Sequence, residues 1–198
     1  MADDNQPSAR RIELLERAYV YVLEHGLAEL SLRPLATAIG SSPRVLLYLF
    51  GSKDGLVRAL LARARSDELA LLERLGELSG HRPIGLEMAA EQVWSWLAMP
   101  EHKALLTLWV EGYGRSLQHP DGPWGGFASS TVNDWLDVLA DTQSDDERGT
   151  QEGLHRRTTV LAVLRGAMLD LLATGDVART TAAVRAALHG ERAGQSLD

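Results

Sequence analysis

Apolar residues recur at intervals of three and four along most of this chain, the spacing of one helix face. Ile12, Leu15, Tyr19 and Val22 predict a helix from Arg10 to His25, closed by Gly26, with Tyr19 in the core and Tyr21 at its rim. Leu27 to Leu30 is a connector. Leu32, Leu35, Ala36 and Ile39 predict a short helix behind Ser31, a plausible N-cap, and Gly40 ends it. Ser42-Pro43 is a second start signal. The helix it opens is anchored by Leu46, Leu47 and Phe50, with Pro43, Arg44, Val45 and Tyr48 nearer its outer surface.

Ser52 can cap a long helix from Lys53 to about Leu78, with Leu56, Val57, Leu60, Leu61, Ala64, Leu69, Leu72 and Leu75 as its apolar positions. Gly76, Gly80 and Pro83 mark its end. Further helices are predicted over Ile84–Met99, from Glu101 to about Leu117, from Phe127 to Ala140, over Leu154–Thr174 and over Val177–His189. A glycine- and proline-rich link, His119–Gly126, and an acidic solvated loop, Asp141–Gly149, separate them. No stretch combines strand alternation with turn chemistry on both sides, so the fold class is all-α. Residues 1–9 are polar and read as a disordered tail.

The chain has 198 residues, 45% of them hydrophobic, enough for one or two compact domains. No run is long enough to span a bilayer, Met1-Ala-Asp-Asp lacks the start of a signal peptide, and cysteine is absent; a cytoplasmic location is the expectation. Net charge is −7, which argues against a general nucleic-acid binder. Its distribution changes the picture. Up to Lys53 the basic residues Arg10, Arg11, Arg17, Arg33, Arg44 and Lys53 balance the acidic ones, so the rest of the chain carries all the excess negative charge. A neutral head on an acidic body would hold phosphate at the head alone.

Two short helices joined by a tight turn, the second exposing an arginine, look like a helix-turn-helix. The ordered set Gly26, Ser31-Leu32-Arg33, Leu35-Ala36, Ile39-Gly40, Ser42, Leu46, Phe50, Lys53 and Leu56 makes residues 11–60 resemble the N-terminal domain of the tetracycline-repressor (TetR) family of bacterial transcriptional regulators. Leu164 to Asp176 is similar to the paired-helix ending of many members; about 80–150 matches no family. The resemblance implies a three-helix DNA-binding domain over residues 10–53, its helix-turn-helix at about 31–50, and a helical ligand-binding and dimerisation domain over 54–198. It also implies a homodimeric repressor on a palindromic operator, responsive to a small effector, with no cofactor.

By matched position, Arg33 and Ser42 lie near backbone or base edges, Pro43, Arg44, Val45 and Tyr48 face the bases, and Lys53 grips a phosphate. The chemistry agrees: Arg44 can donate twice to guanine, Val45 can meet a thymine methyl, and a lysine beside helix-start amides seats a phosphate. The chain departs from the family where many members carry a tyrosine and a histidine that hold phosphate. Here those positions are Leu47 and Leu49, and the aromatic stands at Tyr48. The phosphate grip is therefore thin, and more of the affinity falls to Arg33, Arg44, Tyr48 and Lys53.

All five tryptophans lie between positions 94 and 135. Trp109 and Tyr113 share a helix face that Leu105 and His102 extend. Trp124, Phe127, Thr131 and Trp135 share another if the helix begins early enough. With Met88, Met99 and Met168 as adaptable fillers they either form ordinary bundle core or line a pocket for an apolar or aromatic ligand. Trp94 and Trp96, about 200° apart on a helix, cannot both point inward. Glu111, His102 and Arg115 are candidate polar anchors for such a ligand. Leu161, Leu164, Met168, Leu171 and Leu172, with Val177, Thr181, Val184 and Leu188, read as half of a four-helix dimer interface, which Ala182, Ala183, Ala186 and Ala187 let a partner approach.

An enzyme or metalloprotein is the competing reading. The chain holds no nucleophile elbow, phosphate loop, His-Glu-x-x-His or dinucleotide fingerprint. Glu152-Gly-Leu-His155 has the spacing of a di-iron bundle ligand pair, but that architecture needs two such pairs and the chain has one, so no metal is expected. A helical adaptor binding only protein is the third reading, and it leaves Arg44 without a role in DNA affinity.

Overall fold

The computed structural model describes residues 8–27, 30–78 and 84–194, and all regular structure among them is helical. The helices are α1 (Ala9–His25), α2 (Leu32–Ala38), α3 (Pro43–Phe50), α4 (Lys53–Leu78), α5 (Leu86–Leu97), α6 (Lys103–Gln118), α7 (Phe127–Asp141), α8 (Asp145–Arg148), α9 (Gln151–Thr174) and α10 (Val177–Gly194), with a 3₁₀ turn at Pro100–His102. The all-α expectation holds. Most of the tail expected to be disordered lies outside the described residues, but Ser8 and Ala9 are ordered: the Ser8 hydroxyl accepts from the Arg11 amide and Ala9 opens α1. Within the expected acidic loop, Asp145–Arg148 forms a helical turn.

Contacts divide the chain into two units. The first comprises the chain up to Glu68 together with Thr107–Ala128; the second comprises Leu69–Leu106 and the chain from Ser129. The first unit therefore holds more than residues 10–53. Its core is Leu14, Ala18, Tyr19 and Val22 of α1, Leu35, Ala36, Leu46 and Phe50 of α2 and α3, and Leu56, Val57, Leu60, Leu61 and Ala64 of α4. Leu14 and Ala18 replace Ile12 and Leu15 in the expected α1 stripe; Ile12 is 48% exposed because the buried face is rotated toward 14, 18 and 22. In the second unit, α9 packs against α10 and α5. Its core includes Val93, Trp94, Trp135, Leu139, Val160, Leu161, Leu164, Val184 and Leu188. Among the described residues no helix is long and apolar enough to cross a membrane.

Candidate nucleic-acid interface

Local chemistry builds the helix-turn-helix. α2 ends in a paired-bond cap: Ser41 N–H donates to Ala36 O at 2.8 Å and Gly40 N–H to Thr37 O at 3.3 Å, with Gly40 at φ +67°. Ser31 precedes α2 in extended backbone but makes no side-chain cap bond. Ser42 does: its hydroxyl accepts from Val45 N–H at the start of α3, with Pro43 at the first helical position. The Ser52 hydroxyl accepts from Gly55 N–H at 2.9 Å and so caps α4, which begins at Lys53.

Two arginines of α1 that sequence reasoning left unassigned hold this frame. Arg17 Nη1 donates to Ile39 O at 3.3 Å, meeting the end of α2, while its other nitrogen pairs with Glu13. Arg11 Nε donates to Leu49 O at 3.3 Å, meeting the end of α3, and its guanidinium lies 5.1 Å from the Phe50 ring centre. Both place a cation at the negative end of a helix. Their signal in the sequence was weak, because nothing in α1 itself says which carbonyls its outer face will reach.

A polar cluster fixes α4 against α1. Arg63 donates to Glu16 Oε1 at 2.7 Å and to Asp67 Oδ1, and its guanidinium lies 4.8 Å from the Tyr19 ring centre. The Tyr19 hydroxyl donates to Asp67 Oδ2 at 2.9 Å. Burial first, and then that hydrogen bond, push the Tyr19 phenol above its ordinary value. Burial alone would lower the Arg63 guanidinium, but the hydrogen bonds it donates to Asp67 and Glu16 outweigh that and push it up.

The outward face of α3 follows from this seating. Leu46 and Phe50 are buried, Pro43 and Leu49 half-buried, and Arg44, Val45, Leu47 and Tyr48 exposed. Leu47, expected as an anchor, is 41% exposed. At about 100° per residue it falls at the edge of the exposed arc, about 60° from Arg44 on one side and about 60° from buried Phe50 on the other. Tyr48 is 86% exposed, so its ring projects from the surface and does not pack on it. Arg33, Ser42, Ser52 and Lys53 are exposed on the same three-element frame. Among the described residues, Arg33, Arg44 and Lys53 have no carboxylate within ion-pair distance. No Asp or Glu occurs from Leu30 to Lys53.

No protein-family model matches the sequence, nor does any curated protein. Solved structures do match. A TetR-family transcriptional regulator from Rhodococcus sp. aligns over 92% of this chain and 98% of its own, at 17% identity and a TM-score of 0.69. One from Mesorhizobium loti MAFF303099 aligns over 94% and 96%, at 17% identity and 0.68. A TetR regulator from Haloarcula marismortui ATCC 43049 aligns over 90% and 94%, at 18% identity and 0.65. The chain has the TetR-family fold. In TetR-type terms, α1–α3 correspond to the helix-turn-helix head and the later helices to the helical C-terminal body.

The residues expected to line a ligand pocket divide between the two units. Trp109, Tyr113, Trp124 and Phe127 belong to the first; Met88, Trp94, His102, Leu105, Trp135 and Met168 belong to the second. Trp124 and Phe127 both pack against Gly112, where a β-carbon would stand 2.9 and 3.0 Å from their rings. Trp124 precedes α7 and so does not share a helix face with Trp135. Trp94 is buried and donates from Nε1 to the Thr181 hydroxyl at 2.9 Å, whereas Trp96 is half-buried with its ring stacked on His102. Met88 is 53% exposed and Met99 43%, outside any core. Of the three polar anchors, His102 Nδ1 shares a hydrogen bond with Trp96 O at 2.8 Å, and Glu111 accepts from Leu27 N–H at 2.8 Å. Arg115 lies over the Trp124 ring at 5.7 Å.

A cavity of about 550 Å³ in the first unit has Trp124 and Arg115 in its wall. Leu27, Leu30 and Val57 supply apolar surface, Lys53, Asp54, His119 and Asp121 charge of both signs. It reaches the foot of α4, beside the helix-turn-helix.

Of the residues expected at a dimer seam, Leu161, Leu164, Leu171, Val184 and Leu188 are buried within one chain. The α9–α10–α5 core consumes them, and Thr181 is taken up by Trp94. Met168 and Leu172 are half-buried and Val177 is exposed; Leu169, Ala182, Ala183, Ala186 and Ala187 are exposed as well.

Proposed function

We propose that this chain is a DNA-binding transcriptional regulator, not an enzyme, which acts as a homodimer on a palindromic operator and represses until a small effector binds. The observation that carries the reading is the run from Leu30 to Lys53, which spans α2, α3 and the first residue of α4 and contains no carboxylate. In a chain of net charge −7 it exposes Arg33, Arg44 and Lys53 with no acidic partner among the described residues. Such a stretch repels least and binds most where phosphate is dense. Arg44 stands where a base edge would be read, Ser42 and Lys53 beside helix-start amides that suit phosphate.

The exposed Leu169, Val177 and alanines of α9 and α10 support a two-fold seam of the kind that sets two heads on half-sites about 34–36 Å apart, or a multiple of that. The cavity at the foot of α4 supports a small effector that joins an apolar part to polar groups, since Leu27, Leu30, Val57 and Trp124 line it together with Lys53, Asp54, Arg115 and Asp121. Such a molecule weakens DNA binding by its differential affinity for two dimer states, and by no more than that.

Selection of bound duplexes from a random DNA pool tests the reading. The expected result is one palindromic, salt-sensitive site; recovery of no preferred sequence would falsify the DNA-binding function and return the adaptor reading to the front.

A further inference from the structure

Resting on the DNA-binding reading above, we infer that this protein recognises its operator chiefly by the methyl groups of thymine in the major groove, through an apolar arc on α3. At about 100° per residue, Leu47, Arg44, Tyr48 and Val45 occupy successive places on one outward arc of roughly 160°. Leu46 and Phe50 are buried on the opposite side. Val45 is 37% exposed, Leu47 41% and Tyr48 86%. A monomeric surface ordinarily scatters such residues singly. Here three large apolar side chains crowd a helix of eight residues. They surround a single guanidinium, in a region with no carboxylate.

Charge decides what covers this arc. A protein partner that buried it would also bury Arg44 and would have to bring its own carboxylate, whereas a DNA groove supplies acceptors for arginine and an electronegative rim for Arg33 and Lys53. Of the four bases only thymine presents an apolar group in the major groove, its C5 methyl. Val45, Leu47 and Tyr48 offer little else to a base edge: two are hydrocarbon, and the third has a single hydroxyl at its tip. Arg44 sits in the middle of the arc and suits one guanine. The half-site is accordingly a guanine flanked by thymines, read more by apolar contact than by hydrogen bonds.

Deoxyuridine in place of thymidine removes the methyl and keeps every hydrogen-bonding group, so it isolates the effect. The experiment takes the site selected from a random pool and substitutes each thymine of a half-site by uracil in turn. Affinity of the full-length protein for each duplex is then measured as a ratio to the parent site. The expected result is about a fourfold loss at each contacted thymine. That ratio collapses toward one at the matching position in Val45→Ala, Leu47→Ala or Tyr48→Ala. All three side chains are exposed, so the variants retain the wild-type melting temperature, and a ratio reports even where overall affinity falls. Tyr48→Phe, which keeps the ring and loses the hydroxyl, preserves the uracil penalty. A selected site whose thymines all tolerate uracil overturns the inference and leaves the DNA-binding reading standing. So does a penalty that persists unchanged in all three alanine variants, or one that vanishes in Tyr48→Phe. A pool that yields no preferred site overturns both.

Discussion

Arg44, Arg33 and Lys53 have no ion-pair partner among the described residues, and each sits on a different element of the reading face. Their roles separate by what they meet. Arg44→Ala should cost about 1–3 kcal/mol of operator affinity and relax the sequence preference, whereas Lys53→Ala should weaken all sequences alike and flatten the dependence on salt by about one ion. Titrations of operator and scrambled duplex at several salt concentrations distinguish the two. Gly26 shows a residue-scale requirement of another kind. Its φ of 76° and ψ of 173° fall in a region that only glycine enters freely, and a β-carbon there would stand 3.1 Å from the Glu111 carboxylate that holds the Leu27 amide. Gly26→Ala should destabilise the protein by about 1–3 kcal/mol in urea unfolding. Gly114→Ala, at a helical position with open space, should not destabilise at all.

Elements are joined here by charge at their ends. Arg17 and Arg11 reach the last carbonyls of α2 and α3, so α1 holds the C-terminal end of each of these two helices. The α9–α10 turn uses the same device more fully. Arg179 donates to both oxygens of Asp170, at 2.7 and 2.6 Å, and Asp176 accepts from the Arg179 amide at 3.0 Å as the cap of α10. The hydrogen bonds from Arg179 hold the Asp170 carboxyl below its ordinary value. A carboxylate depressed on folding contributes its stability at neutral pH, and that contribution is lost as pH falls through the lowered folded value. Asp170→Asn should therefore melt below wild type at pH 7, with the gap closing from about pH 4 downward. A gap of constant size across that range would show that the side chain acts by packing and not by charge. The pair is solvent-exposed, so the effect at pH 7 is small.

At the scale of the whole chain, the excess negative charge falls outside the helix-turn-helix. No Asp or Glu occurs from Leu30 to Lys53, while the chain beyond Lys53 carries the entire net charge. The dimer proposal rests on the outer faces of α9 and α10, where Leu169 is 50% exposed and Val177 43% beside a run of exposed alanines. Arginine at the middle of that run would leave a charge unpaired in a close helix crossing. Ala183→Arg should shift the protein from dimer to monomer in sedimentation velocity and weaken operator binding at least tenfold, since one head alone forfeits the second half-site. A variant that stays dimeric with unchanged affinity would place the seam elsewhere.

Helix positions and caps were legible in the sequence because they depend on neighbours three and four residues away. Gly40 marks the end of α2, Ser42-Pro43 the start of α3 and Ser52 the start of α4 by local backbone chemistry alone. The outward placement of Arg44, Val45 and Tyr48 followed from the same periodicity. Facing was not legible where two apolar candidates competed. Leu47 was assigned inward and Ile12 to the core, yet both are exposed, because the rotation of a helix is decided by the element it meets. The tryptophans make the same point at longer range. Clustered in sequence, they divide between two units, and Trp94 joins α10 through Thr181, 87 positions away. The sequence by itself determined most of the helical segments, the stops at Gly26 and Gly40 and the absence of carboxylate from Leu30 to Lys53, but not the helical turn at Asp145–Arg148 or the extension of α10 past His189 to Gly194. Only the tertiary structure decided which apolar residues are buried and which are left to meet a partner, since burial depends on what the folded chain places opposite each face.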